Sequence, residues 1–333
     1  IRAHRERPEE IPYDVNQIRT YNASRNNRNP TQKSGPVLKQ RHLAAYAVLA
    51  LGWGLSFIIV LRVVEAFGWG GAVSFRALTA GGTLLVVALL TRRKLDFSCG
   101  WAPLALSGLL TVAGQLTGIA FAAPRIGTAM TAIIVSAIPL FSMVVGRLSG
   151  IEQLSTRSMI GLVTGFGGIV LLVGFPQAPL TGSFLLGCAV SIMGSLSAAC
   201  GSLYAARRLR QVDPWVVTIG SFLWGGVITL PLILLVPIPG VPGVTDIFWL
   251  LVLGLVTSAL MYVIFFGLLA AIGPTRAVSV EFVVTVVAVL AGTALLGERL
   301  TIVQIAGAVV IVAGCLLVLG LWPGAKSRSS RPG

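Results

Sequence analysis

The chain repeats itself once along its length, and both copies consist mainly of long apolar stretches. Gly127 returns as Gly273 and Glu152 returns as Glu298, each pair 146 positions apart. Ten apolar stretches lie between residues 43 and 322, five in each copy. Ten stretches of this length and apolar character indicate a membrane protein. Because hydrocarbon offers no partners for backbone N–H and C=O groups, these groups must be paired within regular helices or a closed barrel.

The stretches have the length of spanning helices, which need roughly 20 mostly apolar residues. None alternates apolar and polar residues as a barrel strand does. Only 11% of the residues are charged, well below the about 25% typical of soluble domains. We therefore predict an all-α membrane protein of ten transmembrane helices at residues 43–61, 69–90, 101–123, 127–146, 158–175, 182–206, 214–236, 247–272, 277–297 and 301–322.

The two copies are predicted to cross the membrane in opposite directions. Five spans per copy is an odd number, so the second copy enters from the side where the first leaves. We predict two inverted five-helix repeats, at residues 43–176 and 180–322. Inverted repeats place a binding site near the midplane between the halves, and they supply the two related conformations that alternating access requires.

The net charge of +14 reports topology and does not indicate nucleic acid. Basic residues are concentrated in alternate loops, and the positive-inside rule places those loops in the cytoplasm. The inside set is Arg92, Arg93, Lys94, Arg147, Arg157, Arg207, Arg208, Arg210 and Arg276, and the outside set is Arg62, Arg125 and Arg299. We predict cytoplasmic N and C termini, with disordered basic tails at residues 1–42 and 323–333.

No cofactor, metal site or enzymatic activity is predicted. The four cysteines have no C-x-x-C spacing, and His4 and His42 both precede the first span. The chain also lacks the H-E-x-x-H, G-x-S-x-G and G-x-x-x-x-G-K-[ST] motifs of common hydrolases and nucleotide-binding proteins. An intramembrane enzyme is therefore disfavoured.

The sequence resembles the drug/metabolite transporter superfamily in its form with two EamA-type domains. The motifs that carry the resemblance are Gly52-Trp53-Gly54-Leu55-Ser56-Phe57, Ser74-Phe75-Arg76-Ala77-Leu78, Ile138-Pro139-Leu140, and Leu296-Gly297-Glu298-Arg299-Leu300-Thr301 followed by Gln304 and Gly307. The resemblance implies a ten-helix carrier of the bacterial inner membrane that exports amino acids or related metabolites. The family usually has Glu-Pro in the second copy where this chain has Val284-Thr285, and Glu281 lies one helical turn earlier.

Glu281 and Arg76 are the leading candidates for substrate binding or coupling. A charge within a span is expensive unless it faces a cavity or a partner. Glu281 could exchange a proton in step with substrate or pair with a substrate amine, or it could pair with Arg276. Arg76 could hold a substrate carboxylate with its planar fork, it could extend to the outer headgroups, or it could form a structural bond between helices.

Four further side chains could line a cavity, and one proline could act as a hinge. Gln115 offers both a donor and an acceptor, and the aromatic side chains could stack on an apolar or cationic substrate. Ordinary bundle packing is the alternative for each of them. The cavity candidates are Trp53, Ser56, Gln115 and Tyr262, and the hinge candidate is Pro139.

The predicted function is secondary transport of a small molecule across the lipid bilayer. The alternatives are efflux of many drugs or lipophilic cations, with Glu281 as the cation site, and less favourably a channel or scramblase. Proton coupling and assembly into a homodimer are both left open by the sequence.

Overall fold

The computed structural model describes residues 40–150, 155–173, 181–296 and 302–319. Within these ranges every regular element is helical. Two of the elements are π-helical segments, Gly108–Gly114 and Leu255–Leu260. The α-helices are α1 Gln40–Leu90, α2 Trp101–Ser107, α3 Gln115–Val135, α4 Ile138–Leu148, α5 Thr156–Val173, α6 Gly182–Arg208, α7 Pro214–Thr229, α8 Leu232–Leu235, α9 Val244–Gly254, α10 Met261–Ile272, α11 Pro274–Val278, α12 Val280–Leu296 and α13 Ile302–Leu319.

Helix α1 is two spans joined by a turn at Gly68. Its 51 residues would extend about 75 Å as a straight helix, more than twice the roughly 30 Å of a bilayer core. Gly68 has φ 68° and ψ 161°, a conformation that residues with a Cβ rarely adopt. The chain therefore reverses there and returns across the membrane.

Gly127 and Gly273, the repeat pair identified in the sequence, have the same backbone conformation. Gly127 has φ 80° and ψ 160°, and Gly273 has φ 89° and ψ 163°. Each separates two consecutive spans without an intervening loop. The copies thus share local geometry as well as sequence at this position.

The π-helical segments are also related by the repeat. Displacing Gly108–Gly114 by 146 positions gives residues 254–260, which coincides with Leu255–Leu260 apart from one residue. Each segment lies in the middle of a span, between α2 and α3 or between α9 and α10. A π turn widens the helix locally and frequently accompanies a functional site.

Helices α5 and α13 pack backbone to backbone through glycines. A Cβ on Gly161 would lie 2.8 Å from the carbonyl oxygen of Gly314, and one on Gly168 would lie 2.9 Å from that of Gly307. The contact is reciprocal, because Gly307 and Gly314 are the repeat equivalents of Gly161 and Gly168. The earlier glycine of α5 contacts the later glycine of α13, and the later one contacts the earlier one. The two helices are therefore antiparallel, as expected for equivalent helices of inverted repeats.

One end of the bundle is marked by an ion pair between two loops. Arg93, after the second span, lies 2.9 Å from a carboxylate oxygen of Asp213 and also stacks over the Trp215 ring at 4.7 Å. Asp213 caps α7 by accepting a hydrogen bond from the Trp215 backbone N–H, and Pro214 occupies the first turn. We call this end the Arg93 face and the opposite end, where Gly68 lies near the Pro237 carbonyl, the Gly68 face.

The prediction of an all-α membrane protein with ten spans in two repeats is confirmed. Five helical stretches are long and apolar enough to cross a membrane, and α1 supplies two spans by itself. Shorter apolar helices complete the bundle. Residues 1–39 and 320–333, the Glu152 and Glu298 loops and the Gln304 side chain lie outside the described residues. Residues 40–42 of the predicted N-terminal tail belong to α1.

The ninth predicted span differs from an unbroken helix. It consists of α11 and α12, separated at Ser279. The Ser279 hydroxyl donates to the Arg276 carbonyl at 2.8 Å and lies 3.2 Å from the Tyr46 hydroxyl. Serine side chains that bond to nearby backbone compete with the helical pattern, so the break places Glu281 in the first turn of α12.

Candidate functional site

Six of the seven predicted site residues line one cavity inside the bundle. The cavity contains about 410 Å³ of space not filled by protein atoms. Spans from both repeats form its wall. The predicted residues in the wall are Trp53, Ser56, Arg76, Gln115, Tyr262 and Glu281, and the remaining lining residues are Phe57, Val60, Leu116, Ile119, Val135 and Val284.

Trp53 connects the first span to the second π-helical segment. Its indole N–H donates to the Thr257 carbonyl at 3.0 Å. The ring packs against Tyr262 and Phe265, with centroids 5.3 and 5.4 Å away. The Ser56 hydroxyl donates to the Trp53 carbonyl at 2.7 Å. An aromatic wall, with the indole fixed by its N–H and by ring packing, therefore lines one side of the cavity.

Gln115 and Tyr262 meet across the interface between the repeats. Each lies one or two residues after a π-helical segment. The Tyr262 hydroxyl donates to Gln115 Oε1 at 3.3 Å. The local widening of both spans thus brings a polar pair to the centre of the bundle.

Arg76 is buried and held by hydroxyls of the second π-helical segment. Its Nε donates to Ser258 Oγ at 2.6 Å, and Nη2 reaches Thr257 Oγ1 at 3.5 Å. Both hydroxyls donate onward to the Leu253 carbonyl. The guanidinium thus points into the protein and away from the headgroups. No described residue accepts a hydrogen bond from its Nη1.

Glu281 enters the cavity from the break in the ninth span, and the residue is only 7% exposed. Its backbone carbonyl accepts a hydrogen bond from the Thr285 hydroxyl at 3.0 Å. Among the described residues, neither Glu281 nor Arg76 forms a salt bridge. An acidic and a basic side chain therefore line the same cavity without a salt bridge between them.

Residues at equivalent positions of the two repeats meet in the wall of the cavity. Two pairs of equivalent positions line it, Leu116 with Tyr262 and Val135 with Glu281. In each pair the first repeat supplies an apolar side chain and the second supplies a polar one. At these positions the two repeats have equivalent places in the cavity wall, but the polar side chains come from the second repeat only.

Pro139 lies away from this cavity. It occupies the first turn of α4, after a two-residue break at Ser136 and Ala137 that ends α3. The proline fits there because the first turn of a helix has unpaired N–H groups. Its role as a hinge remains a prediction.

The sequence did not reveal the residues that hold Arg76. Thr257 and Ser258 are ordinary small polar residues in an apolar span, and nothing near Arg76 in sequence indicates them. The apolar lining residues carry no local signal either. Within the described part of the chain no group of three metal-ligating side chains is found.

These features define a membrane protein in which two inverted helical repeats surround a polar cavity, the architecture of many secondary transporters. The chain belongs to the EamA-like transporter family, whose sequence profile matches residues 42–174 and 185–320. There is one match in each repeat. The resemblance drawn from the sequence motifs is thereby confirmed.

Known relatives agree with membrane transport. The chain is 30% identical over 288 residues to an Escherichia coli protein described as an uncharacterized inner membrane transporter, YedA, covering 83% of this chain and 90% of the relative. It is 26% identical over 282 residues to a Salmonella typhimurium protein described as a probable amino-acid metabolite efflux pump, covering 79% and 89%. One solved crystal structure has the same fold, with a TM-score of 0.69 at 16% identity, covering 84% of this chain and 96% of that one.

Proposed function

We propose that the protein is a secondary active transporter that exports small zwitterionic metabolites of the amino-acid class by alternating access. The proposal places both termini in the cytoplasm, so the Arg93 face is the inner face and the Gly68 face is the outer one. The basic loops predicted to be internal support this orientation. A homodimer is not part of the proposal, because each chain contains both halves of its cavity.

The observation that carries the proposal is that Arg76 and Glu281, one basic and one acidic, line the same cavity with no salt bridge between them. A buried charge without a partner is unfavourable, so a ligand that neutralises both would be bound strongly relative to an uncharged one. A carboxylate fits the free edge of the guanidinium, and an ammonium fits the carboxylate of Glu281. A zwitterion carries both groups.

Glu281 is also the proposed coupling residue. When substrate leaves, the carboxylate is left in a cavity with an aromatic wall, where a bound proton would replace the lost ammonium. Exchange of a proton for substrate at one carboxylate would link export to the proton gradient. The printed name of the Salmonella relative supports a metabolite of the amino-acid class as cargo.

The proposal can be tested by a metabolite screen followed by reconstitution. Extracellular metabolites are compared between cells that overproduce the protein and cells that lack it, and each enriched compound is then measured in proteoliposomes. We expect enrichment of one or a few amino acids, with transport that depends on a proton gradient and shows exchange. Flux without exchange would indicate a channel or scramblase and would contradict the proposal.

A second candidate function is efflux of lipophilic cations. The favouring observation is that the aromatic rings of Trp53, Tyr262 and Phe265 lie close to Glu281 around the same space. Aromatic faces attract cations. Resistance assays with Arg76→Gln distinguish the two, because a cation carrier should retain its activity and a zwitterion carrier should lose it.

A further inference from the structure

A second, smaller chamber adjoins the cavity on the side of the Arg93 face. It contains about 210 Å³ of empty space. It shares Trp53, Gln115, Tyr262 and Glu281 with the cavity. Its other lining residues are Ile138, Ala198, Ser202, Phe265 and Val278.

The inner chamber is the repeat image of the cavity. Displacement by 146 positions, forward or back, relates most of its wall to residues that line the cavity. The equivalent pairs, cavity residue first, are Ser56 and Ser202, Leu116 and Tyr262, Ile119 and Phe265, Val135 and Glu281, and Val284 and Ile138.

In an inverted-repeat transporter the two repeats exchange conformations between the two states of the cycle. Exchange would give the inner chamber the shape that the cavity has here, and it would close the cavity. The repeat-related residues of the two walls are the observation that supports this exchange. We propose that the inner chamber is the substrate site of the inward-facing state, with Ser202 and Phe265 in contact with substrate.

This inference rests on the proposed function, and it adds a difference in chemistry between the two sites. The repeat equivalent of Arg76 is Phe222, which is fully buried and packs against Tyr262 at 4.8 Å. The chamber therefore has the carboxylate of Glu281 but no guanidinium. It should recognise the ammonium and the apolar part of a substrate, and it should be nearly indifferent to the substrate carboxylate.

The test compares the labelling of single cysteines from each side of the membrane. The four native thiols, Cys99, Cys188, Cys200 and Cys315, are free and are first replaced by serine. Three variants are then made, Ser56→Cys, Ser202→Cys and a control, Ser195→Cys. Ser195 lies on the same helix as Ser202 and is about as buried, but it lines neither the cavity nor the chamber.

We expect a membrane-impermeant methanethiosulfonate to label Ser202→Cys only from the Arg93 face and Ser56→Cys only from the Gly68 face. Ser195→Cys should react from neither. Inverted and right-side-out vesicles present the two faces. Failure of Ser202→Cys to react from the Arg93 face, while Ser56→Cys reacts from the Gly68 face, would overturn the inference and leave the proposed function standing.

Protection of the two cysteines from labelling by two added compounds tests which substrate groups each site recognises. Leucine and isoamylamine differ only by the carboxylate, and both should slow labelling of Ser202→Cys to a similar extent. Leucine should protect Ser56→Cys at least about 100-fold better than isoamylamine, because its carboxylate would receive two charge-assisted hydrogen bonds from Arg76. Protection of Ser202→Cys by leucine alone would overturn the assignment. If each cysteine is labelled from the expected face but neither compound slows the labelling, the result would instead contradict the proposal that the substrate belongs to the amino-acid class.

Discussion

Replacement of Arg76 by lysine should weaken binding of carboxylate substrates while it leaves the fold intact. The positive charge is kept, but the planar fork is lost. Nε of Arg76 is already bonded to Ser258, and this bond holds the guanidinium with its other edge available to the cavity. A lysine ammonium has neither the fixed orientation nor two parallel donors.

The size of the effect follows from the bonds that remain available. A carboxylate on the free edge would receive two charge-assisted hydrogen bonds, each worth about 1.5–3 kcal/mol net. Lysine can keep one of them, so the expected loss is about 1.5–3 kcal/mol. This corresponds to an apparent affinity lower by a factor of about 10 to 150.

The assay is uptake into proteoliposomes with leucine and isoamylamine as a matched pair, or with the substrate and amine identified by the screen. KM for the amino acid should rise by the stated factor, whereas KM for the amine should change by less than about threefold. Thermal unfolding in detergent checks that the variant is folded.

Ser258→Ala is the matched control, because it removes the anchor and retains the guanidinium. We expect a loss no larger than that for Arg76→Lys, at most about 1.5–3 kcal/mol, since the bond from the charged guanidinium to the hydroxyl is charge-assisted. Equal losses for the amino acid and the amine with Arg76→Lys would refute the reasoning. Arg76 would then be a structural residue.

Glu281→Gln should abolish transport driven by a proton gradient but retain exchange of substrate at equal pH, measured as counterflow, with a higher KM because the amide cannot pair with the substrate ammonium; unchanged gradient-driven flux would contradict the coupling role. Gly168→Ala should lower stability by about 1–3 kcal/mol, because its Cβ would lie 2.7 Å from the Ile311 backbone nitrogen, whereas nothing lies within 4 Å of a Cβ on Gly167. Thermal unfolding should therefore place Gly167→Ala at or above the parent protein, and the reverse order would be inconsistent with the packing. Tyr262→Phe removes the bond to Gln115 and keeps the ring, so KM should change by about fivefold, equivalent to about 1 kcal/mol; an unchanged KM would mean that this bond does not support the site.

Much of the fold could be predicted from the sequence, because the lengths of the apolar stretches and the constant offset of 146 residues between the repeats are both visible in it. Gly127 and Gly273 illustrate this, since the glycines mark a turn that other residues would strain. The break at Ser279 was less accessible. It depends on contacts with Tyr46, a residue far away in the chain.

The candidate site was partly predictable for a related reason. Polar side chains within apolar spans are few, and most of those singled out line one cavity, as Arg76 and Glu281 do. Residues with no unusual chemistry could not be found in this way. Ser202 is an exception in principle, because applying the repeat offset to Ser56 leads directly to it.

The reciprocal glycine contact between α5 and α13 has a consequence for the history of the chain. Gly161 meets Gly314 and Gly168 meets Gly307, which is the pattern of an isologous dimer contact. A single ancestral five-helix gene product, inserted in both orientations, would have formed this contact with a copy of itself. In such a dimer one substitution changes both sides at once. In a fused chain each position can vary independently, so the cavity can have an acid at Glu281 and a valine at the equivalent Val135.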